Sequence, residues 1–211
     1  DGARAETHAF LRNRCYGEDP TGIAALGRAV ADGLLDGGVV PVMKHMPGHG
    51  RSTLDTHFDL PTVQVSRDTL ETVDFAPFRA LNDLPMGMTA HLVFDQIDPR
   101  PATLSPVMVE IMRQDIGFDG LLMTDDISMK ALKDTPAQNT RRALAAGVDV
   151  ALYCNAPLAD RITVAEAAGE MGAASMARAI RALEARKTPT DVDISALAAE
   201  LEALLGGALH G

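Results

Sequence analysis

Between Lys44 and Pro61 the chain reads KHMPGHGRSTLDTHFDLP, and three histidines, a lysine and two aspartates fall within that stretch. Histidine titrates near neutral pH, so such a segment can give and take protons. In Asp55-Thr56-His57 a carboxylate stands two residues from an imidazole, where it can fix a tautomer and stabilise the cation. The same residue types also bind metals, and His45, His49, Asp55 and His57 would make a donor set. The helical His-Glu-x-x-His arrangement is absent, and Pro47 with Gly48 argues against a helix there, so a metal-dependent hydrolase is the weaker reading. A second acidic spot, Asp125-Asp126, reads by spacing alone as the cap of a turn.

These residues need elements to hold them. Asp19-Pro20 starts a helix, with Ile23, Leu26, Val30 and Leu34 at helical spacing and Gly37-Gly38 closing it. Val39–Met43 is a short apolar run that reads as a buried strand. Pro47, Gly48 and Gly50 then break regular structure. Ser66–Thr72 starts another helix, and Asp74 caps a second piece, Phe75–Leu81. Pro85–Ala90 is a strand ending at His91. Ser105-Pro106 caps a helix that Gly117 ends. Gly120–Thr124 is the next strand, Thr135-Pro136 opens a helix ending near Gly147, and Val148–Tyr153 is a further strand. Residues 1–17 read as loop, and Pro157–Arg186 and Ile194–Leu205 as Ala-rich helix.

Strand–helix alternation means a parallel sheet with crossover helices. Polar clusters follow every strand: Lys44-His45, His91, Asp125-Asp126 and Cys154-Asn155. Both a (β/α)8 barrel and a doubly wound sheet place chemistry at that end of the strands. Four visible strands are half of a barrel. Met43, Met86, Met88 and Met123 read as core.

Composition narrows the classes. The 211 residues carry 19 Lys and Arg against 29 Asp and Glu, a formal charge of −10 with no basic block. Nucleic-acid binding is disfavoured, because phosphate neutralisation needs clustered cations. No apolar run is long enough to span a bilayer. Two cysteines, Cys15 and Cys154, make no disulfide framework and suit a reducing, cytoplasmic setting.

Three segments carry a family resemblance. Lys44–Gly50 followed by Asp55-Thr56-His57 is similar to the Lys-His-Phe-Pro-Gly-His-Gly and Asp-Ser-His run of family 3 glycoside hydrolases of the β-N-acetylglucosaminidase type. Met46 and Thr56 replace Phe and Ser. Gly117-Phe118-Asp119-Gly120 with Met123-Thr124-Asp125-Asp126 resembles a second motif, with Thr124 in place of Ser. Residues 13–20, NRCYGEDP, resemble a third.

The resemblance implies an α/β TIM (β/α)8 barrel, here incomplete and lacking its N-terminal strands. The domain would run over residues 1–211, with C-terminal helices from about 157. The family's upstream Asp-Gln-Glu-Gly-Gly-Arg sugar-binding segment is absent. The resemblance further implies Asp125 as nucleophile of a retaining exo-glycosidase, with Asp126 structural, and His57 with Asp55 as general acid/base. Lys44, His45 and Arg14 would bind sugar hydroxyls. No cofactor and no metal are implied. The partner is a small carbohydrate, a terminal GlcNAc on peptidoglycan fragments in cell-wall recycling, and the full-length protein is expected to be a monomer. Two alternatives stand beside this: a phosphorylase, since a histidine acid/base does not repel an incoming anion as a carboxylate would, and an inactive, sugar-binding remnant. His49, between glycines, would shape the loop and its role stays open, and His91 at a strand end would either line the pocket or hydrogen-bond backbone.

Overall fold

A computed structural model describes residues 1–206. In chain order the elements are α1 (Ala9–Arg12), α2 (Pro20–Asp36), β1 (Val42–Met46), β2 (Thr62–Val63), α3 (Arg67–Thr69), α4 (Ala76–Ala80), β3 (Met86–Thr89), β4 (Val93–Phe94), β5 (Asp98–Pro101), α5 (Pro106–Glu110), β6 (Leu121–Met123), α6 (Pro136–Ala146), α7 (Leu158–Ala168), α8 (Ala173–Glu184) and α9 (Ile194–Leu204). Wide helical turns continue α3 over Leu70–Asp74 and α5 over Ile111–Asp115.

The main sheet runs β1-β3-β6, all parallel. Each step between neighbouring strands is made through a helical segment, as parallel pairing requires. A small second sheet, β2-β4-β5, grows from the loops after β1 and β3. Phe75, Phe94, Phe118, Met46, Leu70 and Leu122 are fully buried between the sheet and its helices. Burial of each contributes roughly 1.5–3 kcal/mol.

The helix starts follow from local chemistry. Asp19 accepts the Gly22 N–H at 2.7 Å, Ser105 accepts that of Met108 at 3.1 Å, and Thr135 with Gln138 forms a reciprocal capping box. Gly117 and Gly147 take positive φ where the helices stop.

Several sequence expectations need correction. The strand expected at Val39–Met43 lies three residues later. The Val39 N–H bonds back to the Leu34 carbonyl at 2.8 Å and closes α2, so Val39 belongs to the helix end. Lys44 and His45 therefore sit within β1 itself. Asp74 caps nothing: α4 has no side-chain cap, and buried Asp74 instead accepts from Arg51 Nε at 2.8 Å. The strand expected at Val148–Tyr153 is reduced to one bridge, Met123 with Val150. There the Thr124 hydroxyl takes the Leu152 N–H at 2.9 Å and interrupts the ladder. Residues 1–17 are not all loop, since α1 is held by buried Leu11. The stretch from Pro157 to Arg186 is two helices, parted at Gly169 with φ 64°. The stripe Leu26, Val30 and Leu34 on α2 is exposed, and only Ile23 of the four is buried. Ile23, Val30 and Leu34 line an apolar cavity of about 220 Å³ beside β1.

Candidate active site

Buried Asp149 braces the strand that leads to the acidic pair. It accepts from Arg113 at 2.6 Å, from the Leu122 N–H at 2.9 Å, from Ser175 at 2.6 Å and from Arg178 at 3.0 Å. That network joins β6 to α8 and to the turn after α5. Asp125 then stands beyond the C-terminal end of β6, its carboxylate accepting the Asp126 N–H at 2.8 Å. Burial pushes the Asp125 carboxyl up. Lys44, the Asp126 N–H and, in the acid range where they carry a proton, His45 and His91 outweigh it, and the net shift is down, so the group is ionised at neutral pH.

Asp126 borders the same cavity as Asp125, but its carboxylate is occupied by the backbone. Its Oδ1 accepts the N–H groups of Ser128 at 2.9 Å and Cys154 at 3.2 Å. His91 supports the same turn. Its Nε2 lies 3.1 Å from the Asp126 carbonyl, which can only accept, so Nε2 carries the proton and Nδ1 meets the Thr103 hydroxyl at 2.8 Å. His91 is a strut under the acidic turn.

On β1, His45 is buried. Its Nε2 is 3.8 Å from Asp125 Oδ2 and its Nδ1 is 2.6 Å from Asp1 Oδ2. Burial lowers the His45 pKa to about 3, with Asp125 opposing and Lys44 and Arg14 adding to the fall. His49 packs edge-on against the His45 ring at 5.2 Å. It is lowered to about 3 as well, first by burial and then by His45. Both imidazoles are neutral at pH 7.

The loop after β1 is pinned where backbones cross. A Cβ at Gly50 would lie 1.7 Å from the Gly2 carbonyl oxygen, so no other residue fits. Beyond it, Asp55 Oδ1 accepts both the His57 N–H at 3.0 Å and His57 Nδ1 at 2.7 Å. Burial raises the Asp55 carboxyl; the two His57 bonds together outweigh it and bring it below its ordinary value. The His57 ring stands edge-on to Phe10 at 5.0 Å, and the Arg14 guanidinium covers the same Phe10 at 5.0 Å.

Five of the six residues singled out from the sequence line one cavity of about 110 Å³: Arg14, Lys44, His45, His57 and Asp125. Asp55 lies behind His57. Among the described residues, Arg14 and Lys44 make no ion pair, which leaves both cations free for hydroxyl groups. The four proposed metal donors do not converge: among the described residues no three His, Cys, Asp or Glu side chains surround a common point. Two contributors were missed. Phe10 had a signal, its i, i+4 spacing to Arg14. Asp1 had none.

The parallel sheet thus brings an ionised carboxylate, an Asp–His pair and two cations without ion-pair partners to one end of its strands, a set suited to nucleophilic and acid–base chemistry. The chain belongs to glycosyl hydrolase family 3: the model of that family's N-terminal domain matches residues 3–185. A beta-hexosaminidase of Nitrosospira multiformis is 33% identical over 180 residues, which are 82% of this chain and 51% of the relative. NagZ from Neisseria gonorrhoeae, solved in complex with N-trifluoroacetyl-D-glucosamine, superposes with a TM-score of 0.81 at 28% identity, over 99% of this chain and 63% of that one. A family 3 beta-N-acetylglucosaminidase from Paenibacillus gives a TM-score of 0.79 at 27% identity, over 90% and 40%. The chain spans about half the length of the curated relatives it matches. Among the described residues no helix is long and apolar enough to cross a membrane.

Proposed function

We propose that this chain carries the reacting groups of a retaining exo-β-N-acetylglucosaminidase, on what would be the second half of a (β/α)8 barrel. The observation that supports this is the shared cavity of Asp125 and His57. Asp125 is the nucleophile. Its carboxylate attacks the anomeric carbon, the glycosidic bond breaks, and His57 gives its proton to the departing oxygen. Water then attacks the glycosyl ester, His57 takes a proton from it, and Asp125 leaves as carboxylate. Asp55 holds His57 through Nδ1, so Nε2 is the nitrogen that exchanges the proton. Lys44, Arg14 and His45 bind sugar hydroxyls. The substrate is a non-reducing terminal GlcNAc on a peptidoglycan fragment, in a cytoplasmic recycling role. No metal enters the scheme.

The test compares residues 1–211 alone with the same residues joined behind the N-terminal strands of the Neisseria gonorrhoeae relative, on an aryl β-GlcNAc substrate. The joined protein is expected to release GlcNAc with retained configuration. Free GlcNAc rather than its 1-phosphate should form when phosphate is added. Residues 1–211 alone should turn over far less, because a misplacement of about 1 Å costs on the order of a hundredfold. A folded joined protein that is inactive, or that inverts configuration, would refute the reading.

A further inference from the structure

Asp1 is 44 positions from His45, yet the two side chains are 2.6 Å apart and only 4% and 6% exposed. Two backbone groups also point at this carboxylate. The His45 N–H lies 3.1 Å from both oxygens, and the His49 N–H lies 2.9 Å from Oδ1. Backbone N–H groups can only donate, so both oxygens of Asp1 already act as acceptors. An ionised carboxylate suits donors from three sides. The short contact to Nδ1 is then a bond that the ring donates.

That bond has a consequence at the far side of the ring. Nε2 is 3.8 Å from Asp125 Oδ2, too far for a hydrogen bond and close enough that a small shift would make one. Were Nε2 protonated, it would donate to Asp125 and draw electron density from the attacking oxygen.

We propose that Asp1 is the positioning residue of the site: it holds His45 as the Nδ1–H tautomer, so that Nε2 stays bare. A bare Nε2 leaves Asp125 free to attack and can accept a hydroxyl of the sugar. The role toward the sugar rests on the proposed glycosidase activity; the tautomer does not.

Asp1→Asn tests this. The amide oxygen can keep the backbone N–H groups, which turns the amide NH2 toward Nδ1. Nδ1 must then accept, and the proton moves to Nε2. A comparable carboxylate-to-amide change beside a catalytic histidine traps the wrong tautomer and costs about 10⁴-fold in kcat while the geometry survives. His45 does not carry the travelling proton, so a loss of roughly 10²-fold is expected here, by the same logic.

The decisive readout is ring ¹⁵N NMR of histidine-labelled protein at neutral pH, with His45 assigned through His45→Gln. The wild type should show a protonated Nδ1 and a bare Nε2, and Asp1→Asn should exchange them with the backbone spectrum retained. Nε2 protonated in the wild type would overturn the proposal, and so would an unchanged tautomer in a folded Asp1→Asn protein. If the variant does not fold, the wild-type spectrum decides alone. An Nδ1–H wild type without glycosidase turnover in the joined protein would sink the proposed activity and leave the tautomer assignment standing.

Discussion

The molecule holds two Asp–His pairs of nearly equal length, in opposite surroundings. Asp1–His45 is 2.6 Å long with both side chains almost fully covered. Asp55–His57 is 2.7 Å long with the imidazole 51% and the carboxylate 22% exposed. In both, the carboxylate takes Nδ1, and both imidazoles line the same cavity. The difference lies in what supports each pair. His45 sits buried within a strand, whereas His57 sits on a loop that solvent reaches. A buried imidazole serves as a fixed acceptor, because charging it is costly. An exposed pair can move and exchange protons with a leaving group or water. In the proposed scheme one chemical motif thus supports two functions, and burial decides between them.

Both pairs are arranged around Asp125, so its loss should have the largest effect. In the joined protein, Asp125→Asn is expected to reduce turnover by at least roughly 10⁴-fold, the scale on which loss of a covalent nucleophile acts. The fold should survive, since the amide keeps the size and the bond to the Asp126 N–H. An activated 5-fluoro-GlcNAc donor should label Asp125 in the parent and nothing in the variant, by mass spectrometry of peptides. Near-parental activity would rule out the nucleophile and remove the common centre of the comparison.

The next effect separates the pairs. His57→Ala should slow substrates with poor leaving groups by roughly 10²–10⁴-fold, the usual contribution of a general acid. Activated aryl glycosides, which hardly need a proton, should lose far less. A matching loss on both substrate types would make His57 a binding residue like His45, and the two pairs would then be alike in function as well as in form.

What could be read in advance follows the same division. The Gly and Pro punctuation after Met46 marks a strand end, and residues close to such an end are brought together by any parallel sheet. Arg14, Lys44, His45, His57 and Asp125 accordingly meet in one cavity. The caps Asp19, Ser105 and Thr135 were legible because each bonds within three residues. Asp1 was not, because an aspartate with no local pattern gives no hint of a partner 44 residues away. Val39 misled, since its apolar side chain extends the strand pattern while its N–H is spent on α2. Strands of two residues, such as β2 and β4, are too short to show a period of two. The α2 stripe was legible as a pattern, but pattern alone does not say what covers it.

The smallest expected effect is one of stability and concerns the buried side of the comparison. His49 is 2% exposed, and its Nδ1 has no hydrogen-bond partner among the described residues. Burial lowers its pKa from 6.5 to about 3. Between those two pH values the unfolded chain binds a proton at this residue and the folded chain does not. Stability therefore rises with pH across the window and is lost progressively as pH falls from about 6.5 toward 3. One such group is worth about 1.4 kcal/mol per pH unit inside the window. His45 is lowered to about 3 as well and adds a second proton to the slope. Asp98, brought to about 2 mainly by its bond to Arg100, adds loss only nearer the acid end. Buried His91 is lowered by burial too and adds to the slope, whereas Asp74, raised by burial, opposes it, so between pH 4.5 and 6 it is the difference between variant and parent that isolates His49. Urea unfolding of residues 1–211 across that range should show the slope, and His49→Leu should remove about one proton from it while keeping the apolar contact with the His45 ring. An unchanged slope in the variant would mean that His49 is charged or open to water in the folded protein. The claim that burial keeps the imidazoles on this side of the comparison uncharged, His45 beside it included, would then lose its physical basis.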